Sequence, residues 1–435
     1  MNRTLKALVY GDVDLNVIDG SAVWAQSTVQ ALSLAGCHTR LLLKSPVRTE
    51  RLIEPLAGLP GVTVVRPYEE RLLPTQGARS SLSPVQASQL LARLDRDEPC
   101  DLLVLRGLRV VTRVVADGAF DGRIWAYLTD VPQSAAEMTE AARTDLARAA
   151  AACRRILCQT EELRCFLEAW VPEACGKSVL SPPAVPVPGF PLPERYSPHD
   201  PVRLVYTGKF APRWNTLPMT RLPSLLSERN IRAELHTVGD KIHDDRARPE
   251  FKAEMAQALR SAPGVHHHGG QPREEAMRIA ADCDLGLGWR DPILDASLEL
   301  STKVLEFGVL GLPVVLNRTP AHETLLGGDY PLYVPGGAAL DDAAEAVALA
   351  VREPEARRLA AERCRKAAGR HTLQAAADRW RADLDRVFPS FPKLSASPRS
   401  RLRSSGGTPL GRGDLHHLPS SHGNGRCDSV SPATT

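Results

Sequence analysis

The chain has 435 residues, of which 43% are hydrophobic and 24% are charged, and 54 basic against 51 acidic side chains leave a net charge of +3. The length excludes a single small module, and the composition excludes wholesale disorder and a coiled coil. The near-neutral balance excludes a chain-wide binder of nucleic acid or membrane surfaces. Partners must therefore be inferred from local sites.

The N-terminal segment and the cysteines indicate a cytoplasmic protein. The first residues pass at once into a strand-like run at 7–10 and lack the apolar core and cleavage site of a secretion signal. No apolar stretch reaches the roughly 18 to 20 residues that a membrane-spanning helix needs. The nine cysteines are scattered and lack the spacing of zinc or redox motifs. We expect reduced thiols and no membrane span, which leaves only peripheral membrane contact open.

The first 185 residues alternate β-like runs with amphipathic helical stretches. Strands are predicted at 5–10, 39–43, 62–65, 101–105, 123–128, 155–158 and 177–180. Helices are predicted between them, as at 21–35 and 139–152. Such alternation indicates right-handed crossovers and a mostly parallel, doubly wound sheet.

Eight prolines then fall between Ser181 and Pro201. Because proline fixes φ and cannot donate to a strand ladder, this segment predicts a stiff linker. Alternation restarts beyond it, with strands predicted at 204–207, 233–238, 265–268, 285–287, 314–316 and 332–334. The predicted helices are 218–228, 253–261, 273–281, 302–310, a helical pair within 339–368, and 373–387.

This organisation predicts an α/β protein with two Rossmann-like domains facing a central cleft, where open α/β folds bind ligands. The predicted divisions are a first domain at 1–185, a linker at 186–200, a second domain at 201–372, a closing helix at 373–390 and a tail at 391–435. Serine, glycine and proline supply 20 of the 45 tail residues, and its net charge is +4. The composition predicts a disordered basic tail.

The most informative stretch predicts a helix that begins at Ser301 or Thr302. Free backbone N–H groups at a helix start attract phosphate, and Lys303 adds a positive charge in the first turn. Glu306 lies four residues after Thr302 on the same face, and its side chain leans toward the helix start. Its carboxylate is therefore suited to accept hydrogen bonds from ribose hydroxyls beside a bound phosphate.

The run from Ser301 to Val315 resembles the donor-binding helix and following strand of GT-B glycosyltransferases of the family 4 type, which are retaining and depend on nucleotide sugars. Glu306 matches the second, ribose-binding glutamate of that family's Glu-x7-Glu motif. The first falls on Leu298, and Glu299 is one position away. The resemblance implies the GT-B fold, with a C-terminal crossover helix that packs on the first domain.

A second match is the run 204–215, at the first strand of the second domain. The family uses an Arg/Lys pair after this strand to hold the donor diphosphate and stabilise the leaving group. The resemblance assigns these roles to Lys209 and, one position from the usual spacing, Arg213 instead of Trp214. Gly208 lets the backbone approach a ligand closely.

Other loops complete the predicted site. By the resemblance, Gly20 lies where donor and acceptor meet, Gly239 follows a middle strand, and Gln271 belongs to the loop that contacts the nucleotide base. Asp130 ends a first-domain strand where many family members carry a histidine or aspartate near the reactive centre of the sugar. It either orients the sugar and stabilises positive charge there, or it is a turn residue before proline.

The metal signals are weak. His266 and His268 share one face of a strand, but no third ligand is evident. Asp12 and Asp14 form the Asp-x-Asp mark of the other glycosyltransferase fold, yet the same spacing recurs elsewhere in the chain. We therefore predict no required metal and no other cofactor.

Together these features predict a glycosyltransferase of the hexosyltransferase type, in which the second domain (201–372) binds a nucleotide diphosphate sugar as donor and the first domain (1–185) binds the acceptor. The acceptor is an unidentified small molecule, glycan or lipid-linked molecule, and the resemblance implies retention of anomeric configuration. A GT-B nucleotide-sugar epimerase and a non-catalytic sugar-nucleotide-binding scaffold stay open as alternatives. An NAD-dependent reductase is disfavoured because no Gly-x-Gly-x-x-Gly follows the first strand.

Overall fold

The computed structural model describes residues 4–73, 81–193, 197–335 and 339–389. The predicted tail at 391–435 lies outside the described residues, as do residues 194–196 of the predicted linker. No helix within the described ranges is both long enough and apolar enough to cross a bilayer.

The first domain is built on a parallel sheet of seven strands. They are β1 (Lys6–Gly11), β2 (His38–Leu42), β3 (Val62–Val65), β4 (Leu102–Arg106), β5 (Ile124–Tyr127), β6 (Cys153–Cys158) and β7 (Ser178–Leu180). Their order is β3-β2-β1-β4-β5-β6-β7, so that Val9 pairs with Leu41 on one side and Val104 on the other. The helices are α1 (Gly20–Leu34), α2 (Glu54–Ala57), α3 (Pro84–Asp97), α4 (Leu108–Ala116), α5 (Glu140–Ala152) and α6 (Glu161–Trp170). The doubly wound sheet is confirmed.

The second domain has a parallel sheet of six strands in the order β10-β9-β8-β11-β12-β13. They are β8 (Val202–Thr207), β9 (Ala233–Val238), β10 (Val265–His267), β11 (Leu285–Leu287), β12 (Val314–Asn317) and β13 (Tyr333–Val334). Its helices are α7 (Thr216–Met219), α8 (Leu222–Glu228), α9 (Phe251–Ser261), α10 (Arg273–Ala281), α11 (Thr302–Gly308), α12 (Pro320–Leu326), α13 (Leu340–Arg352) and α14 (Pro354–Gly369). The buried apolar strands form one continuous core with these helices.

One helix was predicted wrongly, because the structure has two short helices in its place. The segment 218–228 was expected to be a single helix, whereas α7 ends at Met219 and α8 begins at Leu222. Pro223 lies in the first turn of α8. Proline has no N–H, and its ring clashes with the carbonyl group four residues earlier, so a continuous helix cannot pass this point.

The last helix, α15 (Leu373–Val387), packs on the first domain rather than the second. The rings of Trp380 and Trp125 stack with their centroids 5.3 Å apart, and Leu384 is fully buried in the same core. A buried aromatic pair of this size contributes substantially to packing. The predicted crossover helix is confirmed.

The chain passes from the first sheet to the second through residues 181–201 and returns just before α15. The two passages meet at Val185, whose N–H donates to the His371 carbonyl at 2.8 Å and whose carbonyl accepts from the Leu373 N–H at 3.1 Å. Apart from this single bridge to Thr372, the described residues of 181–201 form no strand or helix.

The order of each sheet reverses once, between β1 and β4 in the first domain and between β8 and β11 in the second. In open α/β sheets, ligands bind at the carboxyl ends of the strands where the order reverses. Residues that follow three of these strands line one common cavity, and they are Arg106 at the end of β4, Gly208 after β8 and Arg290 after β11.

Candidate active site

A cavity of about 480 Å³ lies between the two domains. Its wall includes nine of the residues predicted from the sequence, which are Gly20, Gly208, Lys209, Gly239, Gln271, Ser301, Thr302, Lys303 and Glu306. Arg213 and Asp130 do not line it. The structure thus brings most of the predicted donor residues to one place, although they come from five separate loops and helices.

Two glycines keep the floor of the cavity open. A β-carbon on Gly239 would overlap the carbonyl oxygen of Gly208, so only glycine allows these two loops to approach so closely. Gly208 itself has a φ of 122°. A β-carbon there would lie 3.7 Å from Nζ of Lys303, which shows how near that ammonium group comes to the backbone.

Lys303 is a partly buried lysine without an ion-pair partner among the described residues. Its Nζ lies 5.0 Å from the centroid of the Tyr206 ring, and it forms no ion pair with any carboxylate in the described ranges. Burial lowers the pKa of Lys303 to about 8, because desolvation outweighs the opposing attraction of Glu306. A bound anion would restore the missing charge partner.

Lys209 has similar surroundings. Its Nζ lies 4.2 Å from the centroid of the Trp214 ring. Burial lowers the pKa of the Lys209 ammonium, with Asp19 acting in the opposite direction and Lys241 adding to the decrease. The indole ring gives part of the stabilisation that water would give, but it does not neutralise the charge.

Four arginines line the cavity, and none was among the predicted site residues: Arg106, Arg273, Arg290 and Arg379. Arg273 begins α10, and its Nη1 donates weakly to Gln26 at 3.4 Å, while its Nη2 is buried without an acceptor in the described structure. Arg290 has its Nε 3.9 Å from Asp295. Burial lowers the pKa of both guanidinium groups, against the attraction of nearby carboxylates. The sequence indicates that Arg290 follows a strand, but only the sheet order places that strand beside the one before Lys209.

The start of α11 has no side-chain cap. Ser301 occupies the N-cap position, but its side chain makes no capping hydrogen bond. The first-turn N–H groups are therefore not occupied by a side-chain cap. Because α11 has only seven residues, its dipole is short, and the lysine side chain brings most of the positive charge.

Arg213 lies away from the other predicted cations. It is exposed in the short turn Pro212–Trp214, and the ring of its neighbour Trp214 lines the cavity instead. Its backbone carbonyl accepts a hydrogen bond from Asp291 at 2.9 Å. The position of Arg213 therefore does not support the predicted contact with a diphosphate, whereas Arg273 and Arg290 do reach the cavity.

Leu298 occupies the position of the first glutamate in the Glu-x7-Glu pattern, and Glu299 is the next residue. Leu298 packs against the first-domain core, its N–H donates to Gln133 at 2.8 Å, and its carbonyl accepts from Thr160 at 2.6 Å. This docking turns the side chain of Glu299 into the cavity. Burial raises the pKa of Glu299, Asp130 adds to the increase, and Arg106 opposes it.

Gly20 begins α1 at the opposite wall. The side chain of Asp19 caps this helix by accepting from the N–H groups of Ser21 and Ala22, both at 3.0 Å. Its second oxygen lies 3.4 Å from Nζ of Lys241, which is in the second domain. A β-carbon on Gly20 would meet no atom within 4 Å. The glycine thus borders open space beside an interdomain ion pair.

The histidines cluster more closely than the sequence suggested. His236 on β9 pairs in register with His266 on β10, and its Nδ1 lies 3.0 Å from Nε2 of His268. Burial lowers the pKa of His236 and of His268, which favours neutral rings. Within the described ranges, no set of three or more His, Cys, Asp or Glu side chains is placed to hold a metal ion.

No protein-family model matches the chain, and no curated protein matches its sequence. Solved structures are similar in fold. Sucrose-phosphate synthase from Thermosynechococcus elongatus has a TM-score of 0.67 and 13% identity, over 89% of this chain and 100% of that chain. HepE from Anabaena in complex with UDP-glucose has a TM-score of 0.63 and 12% identity, over 87% and 99%. A UDP-forming trehalose-phosphate synthase from Burkholderia xenovorans has a TM-score of 0.61 and 12% identity, over 88% and 99%.

These similarities cover 87% to 89% of the chain. The chain therefore has the GT-B fold, with two Rossmann-like doubly wound domains that face a central cleft and a C-terminal crossover helix.

Proposed function

We propose that the protein is a glycosyltransferase that takes its sugar from a nucleotide diphosphate sugar. The observation that carries the proposal is the group of partly buried cations Lys209, Lys303 and Arg273, which face one cavity with lowered pKa values and without ion-pair partners in the described structure. A diphosphate would supply the opposite charge at this position. HepE, which shares the fold, is bound to UDP-glucose, and the Burkholderia enzyme is described as UDP-forming.

In this proposal the second domain holds the donor. Lys209 and Lys303 bind the diphosphate and stabilise it as it leaves, and Glu306 accepts hydrogen bonds from the ribose hydroxyls. The backbone at Gly208 and Gly239 lets the phosphates approach, since neither loop carries a side chain there. Gln271 lies in the loop after β10 and contacts the base, and Gly20 borders the sugar from the first domain.

The reaction breaks the bond between the anomeric carbon and the diphosphate oxygen, and the electron pair leaves with the diphosphate. A hydroxyl oxygen of the acceptor forms the new bond to that carbon, and its proton passes to the departing diphosphate. Positive charge develops on the sugar ring, so leaving-group stabilisation is the main contribution of the protein. Asp130 of the first domain and Glu299 of the second domain supply carboxylates that can stabilise this charge.

Three finer points belong to the same proposal. The sugar is a hexose, and transfer proceeds with retention, as the sequence resemblance implies. The buried lysines and arginines supply the charge that a divalent metal supplies in other enzymes, so no metal is required. Activity that persists in a chelator would support this last point, and activity that depends on an added divalent ion would contradict it.

A thermal-shift panel of nucleotide diphosphate sugars tests donor binding directly. A ligand at 100 times its dissociation constant stabilises the fold by about 2.7 kcal/mol. We expect Glu306→Ala and Lys209→Ala each to remove most of the shift that the best donor gives. Arg213→Ala is the matched control, because this exposed cation lies outside the cavity.

Product analysis separates the proposal from its alternatives. Free nucleotide that appears only when an acceptor is present indicates transfer, whereas an epimerised sugar without acceptor indicates an epimerase. Equal shifts in the wild type, Glu306→Ala and Lys209→Ala would remove the assignment of the donor site.

A further inference from the structure

A single buried asparagine holds the loop that follows β11. Asn317 is the last residue of β12, and its side chain is fully buried. Its Oδ1 accepts from the N–H of Arg290 at 2.8 Å, and its Nδ2 donates to the carbonyl of Arg290 at 2.9 Å. The side-chain amide therefore binds both backbone groups of one residue, as a neighbouring strand would.

These two bonds continue the sheet past the point where the backbones of β11 and β12 separate. Leu287 pairs with Val315, and the N–H of Gly288 still donates to the Val315 carbonyl at 2.8 Å. Two residues further on, the chain is bonded to the Asn317 side chain instead of the β12 backbone. The backbone of Asn317 pairs with β13, and its carbonyl accepts from Nδ1 of His322 at 2.7 Å. The asparagine is thus itself fixed.

The loop after β11 has two further attachments. Nδ2 of Asn317 donates to Oδ2 of Asp295 at 3.1 Å, and the other carboxylate oxygen of Asp295 lies 3.9 Å from Nε of Arg290. On the opposite side, the N–H of Asp291 donates to the carbonyl of Arg213 at 2.9 Å. The segment 290–295 is therefore bonded both to the strand on one side of β11 and to the loop that follows the strand on its other side.

These attachments determine where the Arg290 side chain lies. It lines the larger cavity and is 11% exposed. Its Nε is buried, whereas its two terminal nitrogens stay accessible and make no hydrogen bond with any described residue. Burial lowers the pKa of Lys303, and the charge of Arg290 adds to this decrease. The same charge opposes the rise that burial causes in the pKa of Glu299. The guanidinium group is therefore close to both of these cavity residues.

We propose that Asn317 is a positioning residue and that the guanidinium group it orients, that of Arg290, binds the diphosphate. Arg290 then has the role that the sequence resemblance gave to Arg213, although it follows the next strand of the sheet. Two guanidinium nitrogens bind two phosphate oxygens at once when the arginine is held at a fixed angle. Asn317 does not line the cavity and acts only through the backbone that it holds. The inference rests on the proposed glycosyltransferase function, because the diphosphate is that of the donor.

Calorimetry with inorganic pyrophosphate tests the proposal on the full chain, because this probe carries the diphosphate without a base or a sugar. Arg290→Gln should weaken pyrophosphate binding about tenfold or more, which is the effect of losing a charge-assisted hydrogen bond. Arg213→Gln is the matched control and should leave the affinity unchanged, because this exposed arginine lies outside the cavity. Unchanged affinity in Arg290→Gln overturns the proposal.

Asn317→Ala removes all three side-chain bonds, so the arginine loses its fixed backbone. We expect a loss of pyrophosphate affinity of about tenfold, although residue 317 does not touch the ligand. Thr319→Ala is the control, since this buried hydroxyl caps α12 by accepting from the His322 N–H at 3.2 Å and does not line the cavity. It should lower the stability to urea without weakening pyrophosphate binding. Equal affinity losses in both variants would overturn the positioning role.

A double variant separates positioning from a general structural role. Because Asn317 is proposed to act through Arg290, Asn317→Ala should weaken binding no further once Arg290→Gln is in place. Losses that multiply in the double variant overturn the positioning role. Where Asn317→Ala does not fold, Arg290→Lys decides instead, since it keeps the charge but not the paired hydrogen bonds. Full affinity in Arg290→Lys shows that no fixed guanidinium is needed and overturns the proposal.

The two proposals fail in different ways. Pyrophosphate binding that is weakened by Lys209→Ala but not by Arg290→Gln overturns this inference and leaves the donor site in place. Binding that is weakened by Arg290→Gln but not by Lys209→Ala supports the inference and contradicts the role given to Lys209. A wild-type protein that binds neither pyrophosphate nor UDP overturns both.

Discussion

Two lysines on opposite sides of the cleft have opposite surroundings. Lys44 in the first domain lies 2.7 Å from a carboxylate oxygen of Asp12, whereas Lys303 in the second domain has an aromatic ring and a glycine backbone beside it. The pKa of Lys303 falls to about 8 for this reason. The contrast separates a lysine that is paired with a carboxylate from a lysine that has no such partner among the described residues.

Other charged residues of the two domains show the same contrast between paired and unpaired charges. In the first domain, Asp14 pairs with Arg48 at 2.8 Å and Asp19 pairs with Lys241 at 3.4 Å across the cleft. In the second domain, Lys209 and Arg273 are partly buried and line the same cavity as Lys303, without such partners in the described structure. Unpaired buried charge costs free energy, so a protein that retains it at a cavity has a functional use for it.

The largest expected effect comes from removing the unpaired charge of Lys303, and it is a loss of donor affinity. Lys303→Met keeps the length and apolar contacts of the side chain but removes the charge that faces the diphosphate. We expect about a 100-fold loss of affinity for the best nucleotide donor, since charge-assisted hydrogen bonds to buried groups contribute up to about 3 kcal/mol. Calorimetry measures it, with Lys252→Met as the control because Lys252 is exposed and pairs with Asp244. Unchanged affinity in Lys303→Met would place the diphosphate elsewhere.

The pH dependence of donor binding follows from the lowered pKa of Lys303. Below pH 8 the free protein already carries the ammonium group, so affinity should be flat. Above its pKa of about 8, binding must take up a proton, and affinity should fall by up to about tenfold per pH unit. Titrations between pH 7 and 9 test this, and Lys303→Met should remove the dependence. A wild-type affinity that stays constant to pH 9 would contradict it.

Lys303→Met should also stabilise the unliganded fold. The folded pKa of about 8 lies below the ordinary value of 10.5, so the charged form is disfavoured in the folded state and stability is lost at pH 7. Removing the charge should add about 1 to 3 kcal/mol to the free energy of unfolding. Urea unfolding measures it. The gain should shrink between pH 8 and 10.5, because the folded wild type loses its proton first; a destabilised variant would show that the ammonium is solvated.

The smallest expected effect lies on the first-domain side. Lys44→Gln breaks a partly exposed ion pair with Asp12, and such pairs contribute about 0.2 to 1 kcal/mol. Donor affinity should stay the same, because Lys44 does not line the larger cavity. Unfolding and calorimetry on one preparation check both points. A loss of donor affinity as large as that of Lys303→Met would contradict the distinction between the paired Lys44 and the unpaired Lys303.

Most of the strands and helices could be predicted from the sequence, because each is set by a local pattern of residues. The apolar run at Val314 to Leu316 and the strand at 285–287 are buried on both faces, so composition alone identified them. Pro223 was a local signal too, and the missed helix break shows that the expectation gave too much weight to the apolar pattern.

The site was only partly predictable because its other residues depend on tertiary packing. Whether Leu298 or Glu299 faces the cavity is set by the contacts of Leu298 with Gln133 and Thr160, which are far away in sequence. Likewise, a sequence cannot show that Trp214 rather than Arg213 turns toward Lys209. Sheet order, once known, points to Arg106 and Arg290 directly.

The bond pair between Val185 and the segment 371–373 has a mechanical consequence. The outgoing and returning passages of the chain are tied to each other where they leave one domain for the other. The two hydrogen bonds couple the two passages, so we expect them to rotate together and not independently. We expect the domains to open along one path and to return to the same alignment, which keeps the residues on the two sides of the cavity in register.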